Sequence, residues 1–447
     1  MARKPKSVNG LPVSPIKPGR PDLSEIGQSG LAQYSGQVFE EKLRQLISPA
    51  VARATYAEMS QNDAIIRASL YAVDMLIRKT SWSVEPGGND AIARQRADYL
   101  ETIPQDMAHS WSDHISEVLT MLVYGWSLFE IVYKWRHGPN EDSHFDSRFN
   151  DGLVGVRKLA IRSQDSLERW AFDPAGGIQG LWQRPAPTFQ LRYVPIEKSL
   201  LYRTALRKGN PEGVSLLRGM YRAWSFKKRI EDFEAIGIER ELNGMPVAWV
   251  PSTWLATDAS ASEAGLLDAV KKIVRNIKMD EQAGIVMPLV IDENGNKMLN
   301  LELLSTNGRR AIDTTAVINR YNRMMAMSIL ADVILLGHEK VGSYGLATQK
   351  STLFATALEA FLDSIADVLN RYLVPRLWRL NGWPLQDLPK FKHGAIEDVD
   401  LAALGDYIQK IAGAGAALFP SKDGRLENEL LRLGNLPTPK IGDEVVQ

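Results

Sequence analysis

One stretch of the sequence gathers side chains that can bind a metal ion. Within positions 137–146 it contains five residues of metal-ligand type: His137, Glu141, Asp142, His144 and Asp146. Imidazole nitrogens and carboxylate oxygens together are a common donor set for zinc. The same stretch is interspersed with Gly, Pro, Asn and Ser and lies between two strand-like segments, which is typical of a solvated turn. We therefore interpret it as a loop and predict no metal site.

A pair of carboxylates and the known catalytic motifs bear on whether the chain is an enzyme. Asp363 and Asp367 are four positions apart, so on a helix they would share one face, as an acid–base pair or a nuclease centre requires. That face is polar, which favours simple solvation. The sequence contains no nucleophile elbow and no GxxxxGK[ST] phosphate loop. We predict a protein that is not an enzyme, uses no cofactor and takes energy for any transport from a partner.

The composition indicates a protein that is held together by packing. Its 447 residues are 45% hydrophobic and 24% charged, which suffices for several hydrophobic cores. Lys plus Arg and Asp plus Glu both number 53, so contact with nucleic acid cannot depend on bulk positive charge. Cysteine is absent, which excludes disulfides and thiolate metal sites. No apolar run approaches a membrane span and no apolar signal core is seen, so we expect assembly in a cytoplasm.

The first half of the chain predicts helices followed by short strands. A helix opens at Asp63 and leads to a strand over 82–86, and a later helix ends at Gly125. Beyond Gly125 the apolar spacing changes to every second residue, and strand-like segments continue as far as Tyr202. We expect an antiparallel meander packed on the preceding helices, forming an α+β domain over 33–212.

Two long helices dominate the middle of the chain. Residues 213–243 have apolar side chains at helical spacing, and 31 residues would extend about 45 Å, which requires neighbours along the helix. A second long helix is predicted over 309–330. Between them, 244–308 predict a module with one helix, capped by Ser262, and a β-hairpin of 284–291 with 297–304. We expect the long helices to form an antiparallel pair with this module at their far end.

The two ends of the chain are different in character. Region 331–395 contains a glycine-punctuated loop, 337–345, and the clearest amphipathic helix, which we predict to stop before Pro375. Residues 396–447 predict two more helical segments and a polar tail. Residues 1–32 are rich in Pro and basic residues and have no periodicity. They are compatible with a solvated tail and with an arm that orders against a neighbouring subunit.

Five phrases occur in an order that resembles the portal proteins of tailed bacteriophages, in particular the Mu-like branch. The resemblance covers roughly residues 35–440. The phrases are Asn62-Asp63 opening a helix that runs to Trp82-Ser83-Val84-Glu85-Pro86; Tyr124-Gly125-Trp126-Ser127-Leu128-Phe129-Glu130-Ile131; Glu212-Gly213-Val214-Ser215-Leu216-Leu217-Arg218 through Trp224-Ser225-Phe226-Lys227-Lys228; Gly342-Ser343-Tyr344-Gly345-Leu346-Ala347; and Leu433-Gly434-Asn435-Leu436-Pro437.

The resemblance implies a fold and a function for each segment. The portal-type fold has an αβ wing, two stem helices, a helix-plus-hairpin clip, a tunnel loop with its helix, and a helical crown. On this chain the wing would be 33–212, and the two stem helices would be 213–243 and 309–330. The clip would be 244–308. Region 331–395 would hold the tunnel loop, its helix and the remainder of the wing, and 396–447 would be the crown. The resemblance further implies a ring, usually of twelve subunits, at one capsid vertex of the virion.

That ring would package and eject double-stranded DNA. Its implied partners are the terminase large subunit, then the head–tail connector, and the major capsid and scaffold proteins.

Four basic residues are candidates for contact with DNA in the channel of such a ring. His338 and Lys340 lie in the predicted loop at a helix start, which can present them to the lumen, although a subunit contact would suit them equally. Arg320 and Arg323 on the second long helix either face the channel or pair with acidic residues of the first. We favour pairing, because an unpaired Arg at a packed helix face is costly.

Two other functions stay open at this stage. One is a metal-dependent head-maturation or DNA-processing enzyme that uses Asp363, Asp367 or the 137–146 loop. The other is a monomeric head adaptor. Cleavage of DNA and the oligomeric state in solution distinguish these functions from a portal ring.

Overall fold

The computed structural model of the chain describes residues 27–243, 245–276, 300–304, 313–329 and 344–396. Its helices are α1 Pro49–Asn62, α2 Ala64–Lys79, α3 Ala91–Thr102, α4 Trp111–Val118, α5 Thr120–Tyr124, α6 Leu217–Asn243, α7 Ala261–Asn276, α8 Thr314–Ser328, α9 Tyr344–Val368 and α10 Val374–Leu380. Its strands are β1 Gln33–Tyr34, β2 Gln37–Val38, β3 Trp82–Glu85, β4 Trp126–His137, β5 Asn150–Arg162, β6 Leu167–Phe172, β7 Ile178–Gln183, β8 Arg192–Pro195, β9 Ser199–Arg203, β10 Met245–Trp249, β11 Asn300–Leu304 and β12 Lys390–His393. The mixture of helix and antiparallel sheet agrees with the predicted class.

The first two helices meet at a single residue, Asp63. Its backbone is extended, with φ −88° and ψ 120°, so it interrupts the helix between α1 and α2. Its carboxylate Oδ1 accepts hydrogen bonds from the backbone N–H groups of Ile65 and Ile66, at 3.0 and 3.1 Å. These bonds satisfy donors that the first turn of a helix leaves without partners. The predicted helix start at Asp63 is confirmed.

The six strands between Trp126 and Arg203 form two sheets and not one meander. β4 is the central strand of an antiparallel sheet with the order β5-β4-β9, and β6, β7 and β8 form a second antiparallel sheet in chain order. The prediction of one continuous meander is therefore wrong, although β6 to β8 do form one. A small core lies between the sheets, where the rings of Trp126 and Trp170 meet edge to face at 5.0 Å. This packing joins the two sheets.

The largest core lies between the first sheet and a layer of helices. It includes buried side chains from α2 to α5, from β4, β5 and β9, and from α9 and α10. From α9 the contributing residues include Leu358, Leu362 and Ile365, whose spacing is that of one helical face. After α10 the chain returns to this domain, because β12 pairs antiparallel with β3. Residues far apart in sequence thus complete one folded unit.

The predicted stop before Pro375 is wrong, because the helix continues past it. α9 passes through a π-helical turn, Leu369–Leu373, into α10, and the Val374 N–H donates to the Leu369 carbonyl five residues earlier. Pro375 falls in the first turn of α10. The π turn widens the helix and breaks the regular i to i−4 ladder just before Pro375, so the missing N–H of proline is tolerated there. Within the described residues, no helix combines the length and the apolar character that crossing a membrane requires.

Candidate assembly and channel surfaces

The helix predicted over 213–243 begins at Leu217, because the residues before it form a turn against the end of α5. Gly213 and Gly125 both have positive φ angles, +56° and +91°. They touch each other: a Cβ added at Gly213 would lie 2.2 Å from the Gly125 carbonyl oxygen. Thr204 donates from its hydroxyl to the Val214 carbonyl at 2.6 Å beside them. The two sequence phrases around Gly125 and Gly213 therefore pack together and fix the start of α6.

Helices α6 and α8 form the antiparallel pair that the sequence predicts. Thr314, at the start of α8, donates from its hydroxyl to the carboxylate of Glu234 in the second half of α6. Farther along, the rings of Phe226 and Tyr321 stack 6.2 Å apart. Met325, near the end of α8, lies in the same buried cluster as the first residues of α6. The 27 residues of α6 extend about 40 Å.

Strands β10 and β11 join the two helices at their far end. They pair antiparallel, with Met245 opposite Leu304 and Trp249 opposite Asn300. The sequence analysis predicts a β-hairpin in which 297–304 pair with 284–291, but residues 277–299 lie outside the described residues. Within the described part, 300–304 pair with the segment directly after α6, which the sequence analysis did not predict as a strand. A two-stranded ladder therefore forms where the module meets the helix pair.

The helix of the module begins two residues earlier than the predicted cap at Ser262 implies. Ser260 precedes α7, and its Oγ accepts a hydrogen bond from the Glu263 N–H at 3.4 Å. The Glu263 carboxylate accepts in return from the Ser260 N–H at 2.9 Å. This reciprocal arrangement is a capping box. Ser260, and not Ser262, is the N-cap of α7.

The first half of α6 is fastened to the α1–α2 region by ion pairs. Arg218 donates two hydrogen bonds to the carboxylate of Glu41, at 2.6 and 2.8 Å. The Lys227 ammonium donates to Asp63 Oδ2 at 2.9 Å, and these two side chains are only 7% and 4% exposed. Lys228 pairs with Glu58 at the surface. The same carboxylate that starts α2 therefore also binds the long helix.

The second half of α6 and the outer side of α8 leave large apolar side chains exposed. Phe233 is 71% exposed, and Ile236 and Ile238 are also exposed. On α8, Met324 and Met327 are about half exposed, whereas Met325 is buried. Exposed large apolar side chains on both helices of a long pair are typical of a protein–protein contact surface.

The four predicted channel residues fall in two groups. His338 and Lys340 lie outside the described residues. Arg320 and Arg323 are exposed on α8, and the guanidinium of Arg320 lies over the ring of Tyr321, 5.1 Å from its centroid. A role of these four residues in contacting DNA stays a prediction.

The residues considered for metal or acid–base chemistry make ordinary surface contacts. In the 137–146 loop, His144 Nδ1 lies 2.8 Å from Asp142 Oδ1, and Asp146 accepts a hydrogen bond from the Asn140 N–H. The described part of the chain contains no group of three or more residues arranged to hold a metal ion. Asp363 is 78% exposed and lies 3.1 Å from His393 Nε2, a contact that the sequence did not indicate.

Sequence reasoning missed a buried ion pair next to that loop. The Lys134 ammonium lies 3.2 Å from the Asp106 carboxylate, and the two side chains are 4% and 2% exposed. Lys134 also donates to the backbone carbonyls of Asp106 and Asp146, each at 2.6 Å. The alternation along β4 was the available signal, since Trp135 and Lys134 lie on opposite faces and the exposed one is Trp135.

Two further titratable groups are buried, and burial decides their charge. His114 packs against the rings of Phe129 and Tyr202, and this burial lowers its pKa to about 3. Burial also raises the pKa of Glu212, whose carboxylate accepts a hydrogen bond from Trp170 Nε1 at 3.1 Å. Both groups therefore favour their neutral forms in the folded chain.

These features define the class of protein first. A helix pair with apolar side chains left exposed, fastened to an α+β domain, is the architecture of a structural subunit that assembles with other chains. The chain belongs to the family of portal proteins of Mu bacteriophage, because the model of that family matches residues 53–427. The family consists of structural proteins of the phage particle and not of enzymes, so the portal role and the non-enzymatic prediction are confirmed.

Solved structures of phage-like particles are similar to this chain at low sequence identity. One from the virion of a native gene transfer agent particle is 11% identical, with a TM-score of 0.48, and the match covers 87% of this chain and 94% of that one. One from the neck of an empty gene transfer agent particle is 12% identical, with a TM-score of 0.47 and coverages of 86% and 94%. An HK97-family phage portal protein from Corynebacterium diphtheriae is 11% identical, with a TM-score of 0.42 and coverages of 78% and 96%. No curated protein matches the chain.

Proposed function

We propose that this chain forms a closed ring of twelve subunits at one vertex of a phage capsid. Double-stranded DNA is packaged and later ejected through the central channel of this ring. Membership of the portal family supports the proposal. The observation that carries it on this chain is the antiparallel pair of α6 and α8 with exposed apolar residues such as Phe233 and Met327.

A ring of identical subunits needs two different contact surfaces on each subunit, because each copy meets one neighbour on its left and another on its right. The helix pair offers two such surfaces. Phe233 and Ile236 are exposed on α6, and Met324 and Met327 are exposed on α8. In the ring, the α6 surface of one copy packs against the α8 surface of the next. Burial of apolar area then stabilises the closed ring.

The proposed function divides the chain into regions. Residues 33–212 with the returning strand β12 form the wing, α6 and α8 form the stem, and 244–308 form the clip. Region 331–395 contributes the tunnel loop and its helix, and 396–447 form the crown. Residues 1–32 are an N-terminal arm.

The partners follow from these regions. The clip docks the terminase large subunit during packaging and the head–tail connector afterwards, while the wing meets the major capsid and scaffold proteins. His338 and Lys340 face DNA in the channel, and Arg320 and Arg323 are the candidates on α8 for the same contact. The zero formal net charge of the chain suits sliding, because strong neutralisation of phosphates would hold DNA in place.

Native mass spectrometry of the purified chain, with negative-stain images of the same sample, tests the proposal. We expect a closed ring of twelve copies with a central hole. Since some assemblies close only with a partner present, the same measurement is repeated after co-expression with the capsid and scaffold proteins. A chain that stays monomeric in both samples would contradict the ring and favour a monomeric head adaptor.

A further inference from the structure

A polar cleft of about 560 Å³ lies beside the 137–146 loop, away from the helix pair. Its lining includes Arg148, Arg157, Lys134 and Asp106. The Lys134 and Asp106 charges neutralise each other, as their 3.2 Å contact shows. The two arginines are different: within the described residues, neither guanidinium forms an ion pair with a carboxylate. The cleft therefore holds two guanidinium groups that no carboxylate of the described residues contacts directly, although the Asp142 carboxylate acts on Arg157 at longer range.

The backbone is shaped so that Arg157 reaches this cleft. In the pairing of β4 with β5, Val132 lies opposite Lys158 and Tyr133 lies opposite Val156, so Arg157 is an extra residue between them. A β-bulge of this kind redirects a side chain away from the regular alternation. The Arg157 carbonyl accepts a hydrogen bond from the Ala108 N–H at 2.8 Å, which holds the bulge in place.

The Arg157 guanidinium lacks a hydrogen-bond partner where one is expected. The Arg157 Nε is buried and has no acceptor among the described residues. The central guanidinium carbon, Cζ, lies 5.1 Å from the centroid of the Phe145 ring. A buried donor without an acceptor is costly, whereas an oxyanion can bind Nε–H and a terminal N–H of one guanidinium together. Arg148 is exposed at the same cleft and can supply a second guanidinium.

The surrounding charges select the kind of anion. Asp146 lines the cleft, and Asp142 lies on the same loop beside His144. These carboxylates repel a polyanion such as the DNA backbone, but a single oxyanion can pass between them to the arginines. Recognition of acidic segments by paired arginines is a common mode of protein binding.

We propose that this cleft binds a single carboxylate from an acidic segment of a partner protein, held by Arg157 and Arg148. The site is complete within one chain, so it depends neither on ring closure nor on DNA transport. It is a docking point on the surface of the α+β domain, separate from the α6–α8 pair.

The test uses the full chain and isothermal titration calorimetry with an acetylated, amidated Gly-Glu-Gly peptide, which carries one carboxylate. Inorganic phosphate and a short double-stranded DNA at the same salt concentration are titrated separately. We expect the peptide to bind, and binding to weaken about tenfold or more in Arg148→Gln and in Arg157→Lys, because a hydrogen bond to a charged group contributes at least that factor. Arg157→Lys keeps the charge but cannot bind an oxyanion in two-point fashion.

Arg67→Gln is the matched control, since Arg67 is exposed on α2, and peptide binding should not change. Arg148→Gln alters an exposed side chain, so it keeps the test valid if Arg157→Lys fails to fold. Phosphate binding without peptide binding would overturn the assignment to a protein carboxylate. Absence of peptide binding, or peptide binding that neither variant weakens, would overturn the site. DNA binding that depends on both arginines and exceeds peptide binding would show a nucleic-acid site in its place.

Discussion

The buried ion pair between Lys227 and Asp63 allows a specific prediction, because the two side chains differ in how many other hydrogen-bond and ion-pair partners they have. Asp63 also accepts two backbone N–H bonds at the start of α2, so its carboxylate keeps partners when Lys227 is removed. Among the described residues, the second carboxylate near Lys227 is that of Glu231, at 3.7 Å, and Glu231 is 48% exposed. Removing Asp63 thus leaves a buried ammonium poorly paired, while removing Lys227 leaves a carboxylate that is still hydrogen-bonded.

The expected cost of each substitution follows from this asymmetry. Asp63→Asn keeps a side chain that can cap α2 and removes only the charge. Breaking a buried ion pair in this way costs about 3–5 kcal/mol of unfolding free energy. Lys227→Met should cost less, about 1–3 kcal/mol, because the remaining carboxylate keeps its backbone donors. The double variant should cost less than the sum of the two single variants by about 2 kcal/mol.

Urea unfolding at a fixed protein concentration measures these costs, and hydrogen exchange of the Ile65 and Ile66 amides reports separately on the start of α2. The matched control is Glu58→Gln, which breaks the exposed ion pair between Glu58 and Lys228, the residue next to Lys227 on α6. This substitution should lower the free energy of unfolding by less than about 1 kcal/mol. Additive single costs, or a Lys227→Met variant less stable than Asp63→Asn, would refute the reasoning.

Three further predictions concern a buried histidine, a buried carboxyl and the exposed helix surface. Because burial lowers the pKa of His114 to about 3, the unfolded chain binds a proton that the folded chain does not, and stability should fall as pH drops from 6.5 towards 3, by at most about 1.4 kcal/mol per pH unit. His114→Phe should flatten this part of a pH series of urea unfolding curves; an unchanged slope would contradict the assignment. Because the pKa of Glu212 is raised, its neutral form favours the fold and that stability is lost as pH rises through the folded pKa, so Glu212→Gln should unfold at higher urea than the natural chain at pH 8 but not at pH 4. Phe233→Glu should abolish the ring in native mass spectrometry, whereas Phe189→Glu, at a 62% exposed aromatic outside the helix pair, should leave it intact; equal effects would argue against the helix surface.

Local signals in the sequence predicted helix boundaries well where a residue type has one dominant structural role. Asp63 could be assigned as a helix cap because its short carboxylate matches the free N–H groups of a first turn. The stop at Pro375 failed for an equally local reason. A π-helical turn places that proline where no N–H is needed, and nothing in the apolar spacing announces such a turn. Position along a helix, and not residue type alone, decides whether proline ends it.

Contacts between distant segments were beyond the sequence. The strand after α6 carries Pro246, a residue that is uncommon in strands because it has no N–H to donate, yet this strand pairs with residues 300–304. The Asp106–Lys134 pair and the bulge at Arg157 depend on how β4, β5 and the preceding loop meet, which no single spacing encodes. The sequence therefore pointed to the helix pair but not to the arginine cleft.

In the proposed ring, the two halves of α6 have different roles, one within the subunit and one towards a neighbour. Its first half is held within the chain, with Leu217 and Met220 fully buried and Lys227 paired to Asp63. In its second half, Phe233 is 71% exposed. Because the first half fixes the direction of the helix before assembly, little orientational freedom is lost when the second half meets another copy. The ion pairs at one end of α6 thus favour association at the other.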